Sequence, residues 1–195
     1  MAAVPGDVRT IAVIGAGPVG RGIAQLAARG GYRTVLEDLL PNALRRAESE
    51  IRTQFDRAVN SGGLTAEAAN TAFSHLEFAG TVEDAARQAD LVIEAVPEEL
   101  ESKIEIFTLL DKICRPGTIL ASHLSSLSIT EISQVTYLAK NCLGMRFVEP
   151  VDDGKKLEII RGRETDDDTL ATAVEVGRRM GKEVVVIDDV ALAPI

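Results

Sequence analysis

Residues 9–38 read RTIAVIGAGPVGRGIAQLAARGGYRTVLED. A short apolar run, Ile11 to Ile14, enters Gly15-Ala16-Gly17-Pro18-Val19-Gly20. An Ala/Leu-rich helical pattern follows, then a second apolar run ending in Glu37-Asp38. Strand, glycine turn, helix, strand and acid in this order form the dinucleotide-binding fingerprint. Gly15 allows the tight turn, Gly17 leaves room for a pyrophosphate at the backbone, and Gly20 lets the helix pack on the strand. Pro18 and Val19 open the helix, whose free N–H groups and positive dipole end attract phosphate. A carboxylate about 20 residues on, Asp38 or Glu37, accepts hydrogen bonds from the adenosine ribose. It would repel a 2′-phosphate, so NAD is expected over NADP, a preference tempered by Arg33 and Arg45 nearby.

Outward from this unit, strand and helix patterns alternate to the end, as a parallel sheet covered by helices requires. The expected fold is α/β: a Rossmann-type, doubly wound, mostly parallel sheet with helices on both faces. Two helices, 41–60 and 65–74, make a long insertion after the second strand, broken by Ser61-Gly62-Gly63. Strands are expected at 76–79, 89–96, 118–122, 142–148, 156–161 and 183–188. Helices are expected at 81–88, 99–114, 129–135 and 166–180. Ala95 and Val96 close the strand that runs into Pro97, and the strand ending at Ser122 delivers His123-Leu124-Ser125-Ser126. Such carboxyl ends are where ligands sit in open α/β sheets.

The 195 residues suit one domain, 1–195, with a tail at 189–195 and a tight turn at 152–156. A net charge of −9 argues against nucleic acid as a partner. No apolar stretch is long enough for a bilayer, and the N-terminus lacks a signal-peptide layout. A soluble, cytoplasmic protein is expected. Cys114 and Cys142 read as buried free thiols, and His75 as a surface or packing residue. The acid runs Asp152-Asp153 and Asp166-Asp167-Asp168 read as solvated surface and helix start, so no metal site is expected.

IAVIGAGPVGRGIAQLAA, ADLVIEAVPEELESKIEIF, ILASHLSSLSITEIS and LGMRFVEPVDDGKKLEIIRG together resemble the NAD-binding domain of L-3-hydroxyacyl-CoA dehydrogenases. The resemblance runs from about Thr10 to Asp188. It implies hydride transfer between NAD and a 3-hydroxyacyl thioester on CoA or an acyl carrier. It places the family's substrate-holding Ser on Ser125, its supporting Glu on Glu158, and its nicotinamide-ribose contacts on Glu98 and Lys103. Ala95, Val96 and Ser122 are expected beside the cofactor.

The chain departs from that pattern where the chemistry is done. The position of the family's catalytic His holds Arg146, the Asn before Pro is Glu149, and a nicotinamide-side Asn is His123. Arginine keeps its proton to pH about 12 and cannot act as a base. Two readings of this cluster follow: Arg146 and Glu158 form an inert ion pair, or His123 is a relocated base with Arg146 on the substrate carbonyl. The family continues into an all-helical domain that builds its dimer, whereas this sequence ends at Ile195. An enzyme, a non-catalytic NAD(H)-binding module and the first part of a larger dehydrogenase are therefore all open. A homodimer, if formed, is expected to use the apolar residues at 190–195.

Overall fold

The computed structural model describes residues 8–151 and 154–190. The tail at 191–195 and Asp152-Asp153 of the expected turn lie outside the described residues. Eight strands form one sheet: β1 (Thr10–Ile14), β2 (Arg33–Glu37), β3 (Leu76–Ala79), β4 (Leu91–Glu94), β5 (Ile119–Ser122), β6 (Cys142–Phe147), β7 (Lys156–Arg161) and β8 (Glu183–Asp188). The order is β3-β2-β1-β4-β5-β6-β7-β8, parallel except for the β6–β7 pair. The helices are α1 (Pro18–Arg29), α2 (Pro41–Asn60), α3 (Ala66–Ser74), α4 (Val82–Ala86), α5 (Leu100–Ile113), α6 (Ile129–Ser133) and α7 (Asp167–Arg179).

Side-chain alternation explains the two layers. In β1, Ile11 and Val13 face the layer that contains α1, α2 and α7, packing with Ile23, Ile51 and Val176. Ala12 and Ile14 face the opposite layer, with Val82 of α4, Phe107 of α5 and Ile132 of α6. A strand buried on both faces reads as a continuous apolar run, and this is why the central strands were legible without strict alternation. Among the described residues, no helix is long and apolar enough to cross a membrane.

Each expected element exists, but several are shorter than their apolar runs. The run 89–96 gives a strand of only four residues, Leu91–Glu94; Asp90 stands just before it, its carboxylate accepting the Arg9 and Thr10 N–H groups, each at 2.9 Å. Helix 129–135 stops at Ser133, whose hydroxyl turns back onto the Thr130 carbonyl. Side-chain caps set four helix starts: Thr65, Thr81, Ser128 and Asp166 each accept from a backbone N–H three residues on. Cys142 is buried, but Cys114 is only half-buried, since it ends α5 where the chain turns outward. His75 packs its Nδ1 against the Ala28 carbonyl at 3.2 Å, in a structural role.

Candidate functional site

The chain order reverses between β1 and β4: β2 and β3 lie to one side, β4 to β8 to the other. The loops leaving β1 and β4 diverge there and open a crevice at the carboxyl ends of the strands. It measures about 480 Å³ and is lined by Gly15, Gly17, Pro18, Val19, Asp38, Ala95 to Glu98, His123, Ser125 and Glu149. Ten of the residues singled out from the sequence meet here: Gly15, Gly17, Pro18, Val19, Asp38, Ala95, Val96, Glu98, His123 and Ser125.

The glycine loop is built as its spacing requires. Gly15 has φ +103°, a left-handed conformation that other residues rarely adopt, and a Cβ there would lie 2.9 Å from the Ala95 carbonyl oxygen. A Cβ on Gly20 would sit 1.8 Å from the Gly15 carbonyl oxygen, so this glycine lies behind the loop and sets the helix–strand distance. A Cβ on Gly17 would meet nothing within 4 Å. The backbone there faces open space, at the amino end of a 12-residue helix with no acid in its first turn. This is a cradle for an anion, and a pyrophosphate fits its chemistry.

Of Glu37, which ends β2, and Asp38, which follows it, only Asp38 lines the crevice. Its Oδ2 accepts the Ala16 N–H at 3.0 Å and its Oδ1 the Leu40 N–H at 2.9 Å, fixing the carboxylate beside the glycine loop. Glu37 points into the fold, is only 2% exposed, and leaves Oε1 without a partner among the described residues. The two arginines that tempered the NAD preference are engaged elsewhere: Arg33 with Glu77 at 2.6–2.7 Å, Arg45 with Asn42. Neither lines the crevice.

Glu37 has a consequence for stability. Burial, reinforced by the Asp38 charge, pushes its carboxyl up to about 7. A group that binds its proton more tightly folded than unfolded stabilises the fold at low pH, and this contribution is lost as pH rises from about 4.5 through 7. The loss amounts to at most roughly 3 kcal/mol, at about 1.4 kcal/mol per unit. Glu37→Gln is therefore expected to unfold at a higher temperature than the native chain at pH 8, with the gap closing toward pH 4. Thermal melts across that range check it, and parallel curves would refute it.

Two residues expected at the cofactor do not reach the crevice. Lys103 and Ser122 have no exposed surface. Lys103 Nζ donates to both Glu94 oxygens, at 2.9 and 3.0 Å, and to the His123 carbonyl at 2.9 Å. Ser122 donates to Glu94 Oε2, and the Val96 N–H to Glu94 Oε1 at 2.6 Å. This buried cluster ties the ends of β4, β5 and α5 together beneath the crevice floor. Burial pushes the Glu94 carboxyl above its usual range, and Lys103 and the donated hydrogen bonds only partly offset that. A signal for Lys103 was present in α5: it lies on the buried stripe with Phe107 and Leu110.

Glu98 forms the rim above it. Its Oε1 accepts three successive N–H groups, from Ser125, Ser126 and Leu127, at 2.8–3.3 Å. Partial burial alone would raise this carboxyl, but the three amides and Lys103 outweigh it and hold it below the usual range. On the far side, Arg146 and Glu158 stand opposite each other across the β6–β7 ladder. Arg146 Nε donates to Glu158 Oε2 at 2.6 Å, Nη2 pairs with the same oxygen, and Nη1 donates to the Ser125 carbonyl at 2.9 Å. The ion pair expected from the sequence is present, and it braces the Ser125 turn from outside the crevice lining. Among the described residues, no group of three His, Cys, Asp or Glu is placed to hold a metal ion.

The chain matches the model of the family described as "3-hydroxyacyl-CoA dehydrogenase, NAD binding domain" over residues 10–190. It is 38% identical over 183 residues to a probable 3-hydroxybutyryl-CoA dehydrogenase of Bacillus subtilis, covering 94% of this chain and 63% of that protein. It is 38% identical over 170 residues to the 3-hydroxyadipyl-CoA dehydrogenase of Escherichia coli, covering 87% of this chain and 34% of that protein. The crystal structure of (S)-3-hydroxybutyryl-CoA dehydrogenase from Ralstonia eutropha superposes with a TM-score of 0.91 at 31% identity, over 94% of this chain and 64% of that one. The chain thus spans less than two thirds of the length of these relatives. With the glycine loop, the switch-point crevice and the match over residues 10–190 in agreement, the chain belongs to the 3-hydroxyacyl-CoA dehydrogenase family, of which it carries the NAD-binding domain.

Proposed function

We propose that this chain binds NAD in the switch-point crevice and serves an oxidoreductase that passes a hydride between NAD and a 3-hydroxyacyl thioester, on CoA or an acyl carrier. The observation that carries this reading is the pairing of the open backbone at Gly17 with the Asp38 carboxylate anchored beside it. The first would hold the pyrophosphate and the second the adenosine ribose. Bound NAD supplies the hydride acceptor. Gly15, Gly17, Pro18 and Val19 would hold the dinucleotide along α1, with Gly20 setting their spacing. Ala95, Val96 and Glu98 would flank its nicotinamide half, with Lys103 and Ser122 supporting them from below. Ser125, on the same wall, would hold the substrate oxygen.

A second reading has its own observation. Arg146 and Glu158 form an ion pair where the family resemblance implies a His–Glu pair, which favours a domain that binds NAD(H) without turning it over. Reduction of acetoacetyl-CoA, followed by loss of NADH absorbance, separates the two. Consumption of NADH dependent on the thioester supports the oxidoreductase. NADH binding without consumption supports the silent module, and no binding removes both.

A further inference from the structure

Dehydrogenation of an alcohol requires a group that takes the hydroxyl proton, and Arg146 cannot be that group. The titratable side chains lining the crevice are Asp38, Glu98, His123 and Glu149. Asp38 lies beyond the glycine loop, fixed by two backbone amides. Glu98 is committed to three amides and is held in its charged, weakly basic form. His123 and Glu149 remain.

The ring of His123 is held in place. Its Nδ1 lies 3.3 Å from the Met145 carbonyl and 3.5 Å from the Phe147 N–H, and the tilted Phe147 ring is 6.3 Å away. With Nδ1–H donated to Met145, the nearer partner, Nε2 carries the lone pair. Glu149 follows β6 and is exposed. It lines both the main crevice and an adjoining cavity of about 200 Å³ formed with Arg21, Gln25 and Gln54.

Resting on the oxidoreductase reading above, the geometry points to His123 and Glu149 as a relocated acid–base pair: His123 Nε2 takes the proton of the substrate 3-hydroxyl, and Glu149 is the positioning residue that balances the imidazolium. The O–H bond breaks to Nε2, the C3–H bond gives its hydrogen and electron pair to NAD, and the C3–O double bond forms. The proton then leaves His123 past Glu149 to water. The charges around the ring suit this cycle. Burial first, then the Lys103 cation from α5, keep the imidazole neutral at rest, while Glu98 and Glu149 favour its charged form. Arg146, on β6, is neutralised by Glu158 of β7.

The chain has two histidines, so NMR titration of the ¹⁵N-labelled full chain reads His75 and His123 separately. Glu149→Gln is expected to lower the His123 midpoint by about 0.5–1 unit and leave His75 in place. It should also reduce kcat for 3-hydroxybutyryl-CoA oxidation by about 10-fold, and His123→Asn by about 10²–10⁴-fold. A His123 midpoint unmoved in Glu149→Gln, full turnover in His123→Asn, or a native chain that binds NADH and turns nothing over each overturns the pair. A native chain that fails to bind NADH overturns the oxidoreductase reading on which the pair rests, and the histidine titration then reports separately whether the two side chains are coupled.

Discussion

Gly20→Ala is expected to abolish measurable NADH binding, a loss of at least about 100-fold, or roughly 3 kcal/mol. The added carbon, fixed directly to the helix backbone, would stand 1.8 Å from the Gly15 carbonyl oxygen, itself a backbone atom, so no side-chain rotation relieves the clash. Gly15 is held in place, because its N–H is bonded to the Glu37 carbonyl at 2.9 Å. Helix α1 must move away from β1 instead, taking Gly17 and its cradle with it. Overpacking of this kind costs about 1–3 kcal/mol in stability. The chain is therefore expected to remain folded, with its Tm lowered, while its affinity collapses. Circular dichroism and NADH titration on the same preparation check both halves. Undiminished binding would mean that the loop does not cradle the cofactor.

Lys103→Met should have the largest effect on stability. Lys103 and Glu94 both have side chains with no exposed surface. Methionine fills the lysine's volume but leaves the Glu94 carboxylate with only the Ser122 hydroxyl and the Val96 amide. Removing one partner of a buried ion pair costs about 3–5 kcal/mol, which for a chain of this size is roughly 10 °C in Tm. Without its lysine, Glu94 holds a proton in the folded chain still more tightly than it does in the native one, so the deficit should shrink as pH falls from 8 to 5. Glu94→Gln in the same chain should recover part of the loss. Denaturant melts of both variants at the two pH values test this, and a deficit that ignores pH would mean that Glu94 is not the stranded charge. The cluster also holds the His123 carbonyl and approaches Glu98 at 3.8 Å, so NADH affinity should fall alongside stability.

The fold was legible because its local signals agree. An apolar run, a glycine loop, an Ala/Leu helix and an acid can satisfy one another in few arrangements. The element ends were less legible, since Asp90 and Ser133 make side-chain hydrogen bonds there that no periodicity reveals. In the site, the residues that line the crevice stood out, being glycines and acids at fixed offsets. The residues that support it did not. Lys103 was named only through the resemblance and as a cofactor contact, Glu37 only as an alternative to Asp38, and Glu94 not at all, because ionisable groups buried in apolar segments read as surface. Glu149 was visible only as a departure from the family pattern, because its placement depends on a loop between antiparallel strands that brings it to the mouth of a crevice built by other elements.

If the Gly15–Gly20 loop and Asp38 hold NAD, the native chain must distinguish the two nicotinamide dinucleotides. Calorimetric titration of NADH and NADPH into the native chain tests it most directly. One site is expected for NADH, with binding at least about tenfold weaker for NADPH, whose 2′-phosphate would meet the Asp38 carboxylate. Equal affinity for the two cofactors, or no heat with NADH, would contradict it.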